Sequence, residues 1–156
     1  MKVYISGKIG EEVLSDATRE KFAKAEGMLR LMGHDVFNPT TSGLGKNAEK
    51  AAKRYKTSFY KEILIYDLLA LKACDAIFLL PDHEDSPGAA VELAYANAVG
   101  IQPLFADYIQ ACNFLAGEFW KRIEHGYTDG IDMKAPWNEA LDAHKKKYID
   151  KFWLPL

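Results

Sequence analysis

Between Pro87 and Ile101 the chain carries a single charged side chain, Glu92. The run around it, SPGAAVELAYANAVG, is otherwise Ala, Val, Leu and Tyr with few polar residues, so a helix here is expected to be buried nearly all round. A carboxylate in such a place must be paired, hydrogen-bonded or functional, because burying an ion without a partner is costly. No Lys or Arg lies between Asp75 and Gly117 to pair with it locally. Asp67 is a second anomaly. It follows Ile63 by four residues and Leu64 by three, and precedes Leu71 by four, so it interrupts an apolar helix stripe that also takes in Tyr60 and Leu68. Two carboxylates at one site suit glycosyl chemistry. One attacks an anomeric carbon to give a covalent sugar–enzyme ester, and a second group protonates the leaving group and later activates the acceptor. A phenol beside the nucleophile, Tyr4, would position the carboxylate or stabilise charge.

These residues need a scaffold, and the chain supplies a pattern for one. Val3–Ser6 is a short β-branched and aromatic run closed by Gly7, expected to be a first strand. Ser15 is placed to cap a helix that runs to about Met32, with Gly33 as its stop. His34–Phe37 predicts a second strand, and Thr40–Gly45 a flexible loop with turn chemistry. A helical pattern from Asn47 to Ala73 is expected to break near Thr57–Ser58. Asp75–Leu80 is the clearest central strand. An acidic loop follows, then a helix from Pro87 to Val99 and a strand at Ile101–Phe105. Beyond it, helices are expected near Ile109–Ile123 and from about Trp137 to Phe152.

Strands alternate with helices, and the strands are continuous apolar runs. That pattern predicts an α/β fold with a parallel sheet covered by helices on both faces. Ligands bind beyond the carboxyl ends of the strands in such sheets. The loops starting at Ser6, Asn38, Pro81 and Asp107 are therefore the ones to watch. Ser86 followed by Pro87 reads as an N-cap with proline in the first turn, and Gly88 leaves room for a ligand to approach that helix terminus, which favours anions.

Composition narrows the classes. A chain of 156 residues fits one domain, and no internal boundary is evident. The net charge of −2 gives no general attraction to nucleic acid or to an anionic membrane. No apolar run approaches the length of a membrane span, and MKVYISG does not resemble a secretory leader, so a cytoplasmic location is expected. Cys74 and Cys112 are too few for a disulfide framework and are expected as buried free thiols. No Walker loop, no G-x-G-x-x-G and no G-x-S-x-G occurs, and no cofactor is expected. His83 with Asp82, Glu84 and Asp85 fits no standard metal spacing, so no metal is expected either. Lys46, Lys50, Lys53, Arg54, Lys56 and Lys61 form a wet basic helix face or draw in an anionic substrate.

In order along the chain, YISG (Tyr4–Gly7), NPT (Asn38–Thr40), YDLLALKACDAIFLLP (Tyr66–Pro81) and SPGAAVELAYANAVG (Ser86–Gly100) resemble the nucleoside 2-deoxyribosyltransferase superfamily, which includes the 2′-deoxynucleoside 5′-phosphate N-hydrolases. The resemblance covers roughly residues 1–105. It implies a flavodoxin-like (Rossmann-like) single domain, with residues 120–156 an extension of unassigned role. It also implies Glu92 as nucleophile, Asp67 as the group handling the leaving base or the sugar, and Tyr4 beside the nucleophile. Ser86 matches the serine of the nucleotide hydrolases, where the free-nucleoside transferases carry Asp, which would repel a phosphate. The resemblance thus points to a 5′-monophosphate bound by Ser86, Gly88, Gly7 and Lys8, although relatives often have Pro or Ser at the position of Lys8. It further implies a homo-oligomer in which a neighbouring subunit completes each site from the region of Cys112 and Asn113. The expected partner is a small nucleotide or nucleoside. The alternatives left open are base exchange on free nucleosides and a non-catalytic nucleotide-binding or sensor module. For Ser86, Asp67 and Tyr4 the plainer alternatives are a helix cap, a structural hydrogen bond and a core aromatic.

Overall fold

The structure is a computed structural model, described here for residues 1–10 and 13–107. By its contacts the chain separates into two compact units, Met1–Phe105 and Ala106–Leu156, and the first is described by itself. The expected helices after Phe105, together with Cys112 and Asn113, lie outside the described residues.

The first unit runs β1 (Lys2–Ser6), α1 (Asp16–Leu31), β2 (Asp35–Phe37), α2 (Leu44–Tyr55), α3 (Phe59–Leu71), β3 (Ala76–Leu79), a one-turn 3₁₀ segment (His83–Asp85), α4 (Pro87–Val99) and β4 (Gln102–Phe105). All strands are parallel, in the order β2-β1-β3-β4. This is the flavodoxin-like α/β arrangement expected from the sequence. Strand alternation sends Val3 and Ile5 to one face and Tyr4 and Ser6 to the other. α1 packs on β1 and β2, burying Phe22, Ala25 and Leu29. On the opposite face Tyr4, Ile77 and Leu79 form a core cluster with Leu71 of α3 and Leu93 and Ala96 of α4. The sheet therefore has helices on both sides.

Local chemistry fixes the ends of these elements. The Ser15 side chain accepts from the Thr18 amide at 3.3 Å, and Gly33, at φ 83°, turns the chain after α1. Asp75 braces the strand entries, its carboxylate accepting the Lys2 amide at 2.7 Å while its own amide donates to the Lys2 carbonyl at 2.8 Å. The break between α2 and α3 falls where it was expected, with Ser58 capping α3 through the Lys61 amide at 3.3 Å.

Three expectations are corrected. The Thr40–Gly45 segment is not loop throughout, because α2 already begins at Leu44, with Gly43 as its N-cap at φ 76°. Tyr60 is 53% exposed and does not belong to the apolar face of α3, on which Leu71 is buried and Ile63, Leu64 and Leu68 are half-buried. Nor is α4 buried all round. It presents Ala89, Glu92, Leu93 and Ala96 inward, while Ala90, Val91, Ala94 and Asn97 are exposed. Small and apolar residues can cover a solvent-facing helix surface as well as a buried one, so composition alone misjudged its outer side. Cys74 is a buried free thiol, as expected. Among the described residues no helix is long and apolar enough to cross a membrane.

Phe78, 1% exposed in the central strand, fills the heart of this sheet. Phe78→Ala is expected to destabilise the protein by about 3–5 kcal/mol, read as a lower urea midpoint.

Candidate active site

β1 ends at Ser6 and β3 at Leu79, and at this carboxyl edge the sheet meets α4. Ser86 starts α4 as expected: its oxygen accepts the Ala89 amide at 3.2 Å, with Pro87 next. Two turns of helix then place Glu92 inward, 6% exposed, against β1. The Tyr4 hydroxyl donates to Glu92 Oε1 at 2.7 Å and the Ser6 hydroxyl donates to Oε2 at 2.5 Å. Both oxygens of the carboxylate are thus held by neutral donors, and among the described residues no Lys, Arg or His pairs with it. Burial raises the Glu92 pKa, opposed by the hydrogen bonds from Ser6 and Tyr4. Burial likewise pushes the Tyr4 phenol well above its ordinary value, with the charges of Glu92 and Asp67 acting in the same direction, so Tyr4 is a neutral donor. The ring of Tyr4 stacks on Phe37, its register partner in β2, with centroids 5.4 Å apart.

Asp67 reaches the same place from α3, which packs against α4. Its pKa rises from 3.8 to about 7, first through burial and then through the charge of Glu92. The two carboxyls are close enough for the charge of Glu92 to act on Asp67, and burial favours the protonated form of each. Asp67 Oδ1 is buried and meets no hydrogen-bond partner among the described residues. The structure therefore brings together Tyr4, Asp67 and Glu92. It sets a carboxyl held by two hydroxyls beside a second whose pKa is raised to about 7, a pairing suited to a nucleophile and a general acid.

The other expected residues divide. Gly7 is buried where β1 leaves the sheet, and a Cβ there would lie 2.8 Å from Leu80 Cδ1 and 3.1 Å from Asp82 Oδ1. Its lack of a side chain is required for packing. The Lys8 amide donates to Asp82 Oδ1 at 3.2 Å, and Lys8 itself is exposed. Lys21 of α1 bridges this loop, ion-paired with Asp82 and donating to the Lys8 carbonyl at 2.8 Å. Gly88 leaves ordinary space: a Cβ would be 3.5 Å from the Tyr60 hydroxyl and 3.8 Å from Ser86 Oγ. Tyr60 thus stands beside the N-terminus of α4. Asn113 lies outside the described residues. His83 is buried in the 3₁₀ turn, its Nδ1 2.7 Å from the Leu80 carbonyl oxygen and its ring against Phe105. Among the described residues no group of three His, Cys, Asp or Glu is placed to hold a metal. The basic residues Lys50 and Arg54 line a surface hollow with Asn47, Ala51, Tyr55 and Tyr66, sharing no residue with the carboxylate pair.

Sequence reasoning missed Ser6 and the Lys21–Asp82 brace. Ser6 was findable, since it lies two residues after Tyr4 in a strand and must share its face. Lys21 and Asp82 are 61 residues apart, and nothing local links them.

Fold and site together define an α/β domain with a buried Glu92 and a half-buried Asp67 at the carboxyl edge of its parallel sheet. The family described as a domain of unknown function, DUF4406, matches residues 1–105, and the chain belongs to it. Its match ends where the first compact unit ends. A search of curated proteins and one of solved structures each returned no significant match.

Because the folded pKa of Asp67 lies above its ordinary value, the native state holds a proton that the unfolded chain has lost between pH 3.8 and about 7. Stability should fall as pH rises across that window and level off above it. Asp67→Asn should flatten that part of the curve, measured by urea unfolding at a series of pH values.

Proposed function

We propose that this protein cleaves the N-glycosidic bond of a 2′-deoxynucleoside 5′-monophosphate, releasing the base and deoxyribose 5-phosphate. The observation that carries this reading is Glu92. It is a buried carboxylate with no cation among the described residues, both oxygens held by hydroxyls, and a second carboxyl nearby whose pKa is raised to about 7. A Lys or Arg facing it would quench it as a nucleophile, whereas two neutral donors leave it its charge. In the proposed reaction a Glu92 oxygen attacks C1′ and the C1′–N bond breaks. Its electron pair leaves with the base, which takes the proton of Asp67. Water then attacks C1′, its proton passing to the Asp67 carboxylate, and the ester C–O bond breaks to restore Glu92.

The phosphate is assigned to the start of α4. There the Gly88 amide and the dipole favour an anion, and the Ser86 hydroxyl, while accepting from Ala89, keeps its own proton to donate. The resemblance to the nucleoside 2-deoxyribosyltransferase superfamily supports the deoxyribosyl substrate. Exposed Phe59, Ile65 and Leu69 on α3 and Val91 on α4 support the homo-oligomer. A cytoplasmic location is part of the same reading, as is the exclusion of nucleic-acid polymers and membranes as partners.

Purified protein given each deoxynucleotide and nucleoside in turn should release free base from the nucleotides. Glu92→Ala should lower that rate at least about 1,000-fold with the fold intact by circular dichroism. Base release by the variant at the wild-type rate would remove Glu92 from the mechanism. Ser86→Asp should cost nucleotide activity at least about 10-fold while sparing nucleosides, since a second anion would face the phosphate. Chromatography of the released base after each substrate measures both.

A further inference from the structure

Ser6 is fully packed, 1% exposed, at the last position of β1, and it pairs in register with Leu79 of the central strand. A hydroxyl in such a spot must find a partner, and its partner is Glu92 Oε2. Tyr4 holds Oε1 from two residues further back along the same strand face. The strand therefore presents two donors at its own repeat of about 6.6–6.8 Å, one for each carboxylate oxygen. Because ligands approach from the carboxyl edge of a parallel sheet, Ser6 stands nearer the ligand side and Tyr4 deeper.

Among the described residues the two hydroxyls are the hydrogen-bond donors to the Glu92 carboxylate. β3 contributes only Ala76, Ile77, Phe78 and Leu79, and α4 carries no other charged residue. Among the described residues, the titratable groups on which the charge of Glu92 acts are Tyr4 on β1 and Asp67 on α3. The first is a neutral donor, and the second disfavours a nearby anion when ionised. Removing one of the two donors that the described residues give this buried carboxylate should be felt strongly, since hydrogen bonds to charged groups are stronger than neutral ones.

We propose that Ser6 is a positioning residue that holds Glu92 ionised and fixes the direction of its carboxylate, a role distinct from that of Tyr4 and one that requires the Ser6 hydroxyl. Its consequence for turnover rests on the glycosidase reading above, whereas its hold on Glu92 does not. Tyr4 alone cannot replace it, because one donor leaves the second oxygen of a buried carboxylate without a partner and lets the group rotate about the bond to Oε1.

The test uses the full chain as wild type, Ser6→Ala and Ser6→Thr, with each fold checked by circular dichroism. The ionisation of Glu92 is followed by carbon-13 NMR of labelled glutamate carboxyls, assigned by Glu92→Gln, and the pH profile of kcat/KM for base release is measured in parallel. In Ser6→Ala the Glu92 titration and the acid limb of the profile should both move up by about one pH unit, while Ser6→Thr, which keeps the hydroxyl, should stay near wild type. If the titration of Glu92 in Ser6→Ala stays where it is in wild type, the proposal is overturned, whatever the activity. A wild-type protein that releases no base while the Ser6→Ala titration still shifts would refute the glycosidase reading and leave the role of Ser6 standing.

Discussion

A carboxylate taken out of water must be compensated, and the compensation for Glu92 comes from two hydroxyls on a neighbouring strand, with no cation among the described residues contributing. Much else in the first unit follows from that constraint. Tyr4 and Ser6 can reach both oxygens only because β1 is a regular strand whose alternate residues face α4. α4 presents Glu92 inward because its start is fixed by Ser86 and Pro87, which place Ala89, Glu92, Leu93 and Ala96 on one face. The turn out of β1 needs Gly7, since a side chain there would run into Leu80, and the loop beyond it is held by Lys21 and Asp82.

Compensation by neutral donors has an electrostatic consequence. A lysine or arginine beside Glu92 would have stabilised it more but would have left it a spent ion pair. With hydroxyls only, its negative charge is felt by Asp67, whose own burial already favours the protonated form. The hydroxyl donors favour the anion at Glu92, whereas burial and the charge of Glu92 favour the acid at Asp67. On the proposed reading this asymmetry is what lets a single small site both attack a sugar carbon and protonate a departing base, with α4 holding the anionic end of the substrate at its N-terminus.

Much of this was legible in the sequence because the informative residues violate their surroundings. A lone Glu in an apolar helix and an Asp in an apolar stripe are visible without coordinates, and so are the continuous apolar runs of β1 and β3 that announce a parallel sheet. The bounds of α4 were readable because Ser86, Pro87 and Gly100 carry its capping chemistry. Composition failed where it had to stand in for geometry. The outer side of α4 is small and apolar yet exposed, and Tyr60 sits at the edge of α3, not in the core. The brace between Lys21 and Asp82 depends on tertiary contact alone. Ser6 lay within reach of the strand repeat, two residues after Tyr4 on the same face.

The central claim is that Glu92 forms a bond to the sugar. Wild-type protein turning over a deoxynucleoside monophosphate, quenched in acid within its first turnovers and mapped by peptide mass spectrometry, tests it most directly. The account predicts the mass of a deoxyribosyl phosphate on the peptide containing Glu92, appearing with the first released base and lost as substrate is exhausted. Release of base with that mass on another residue, or with the Glu92 peptide unmodified throughout, would contradict it.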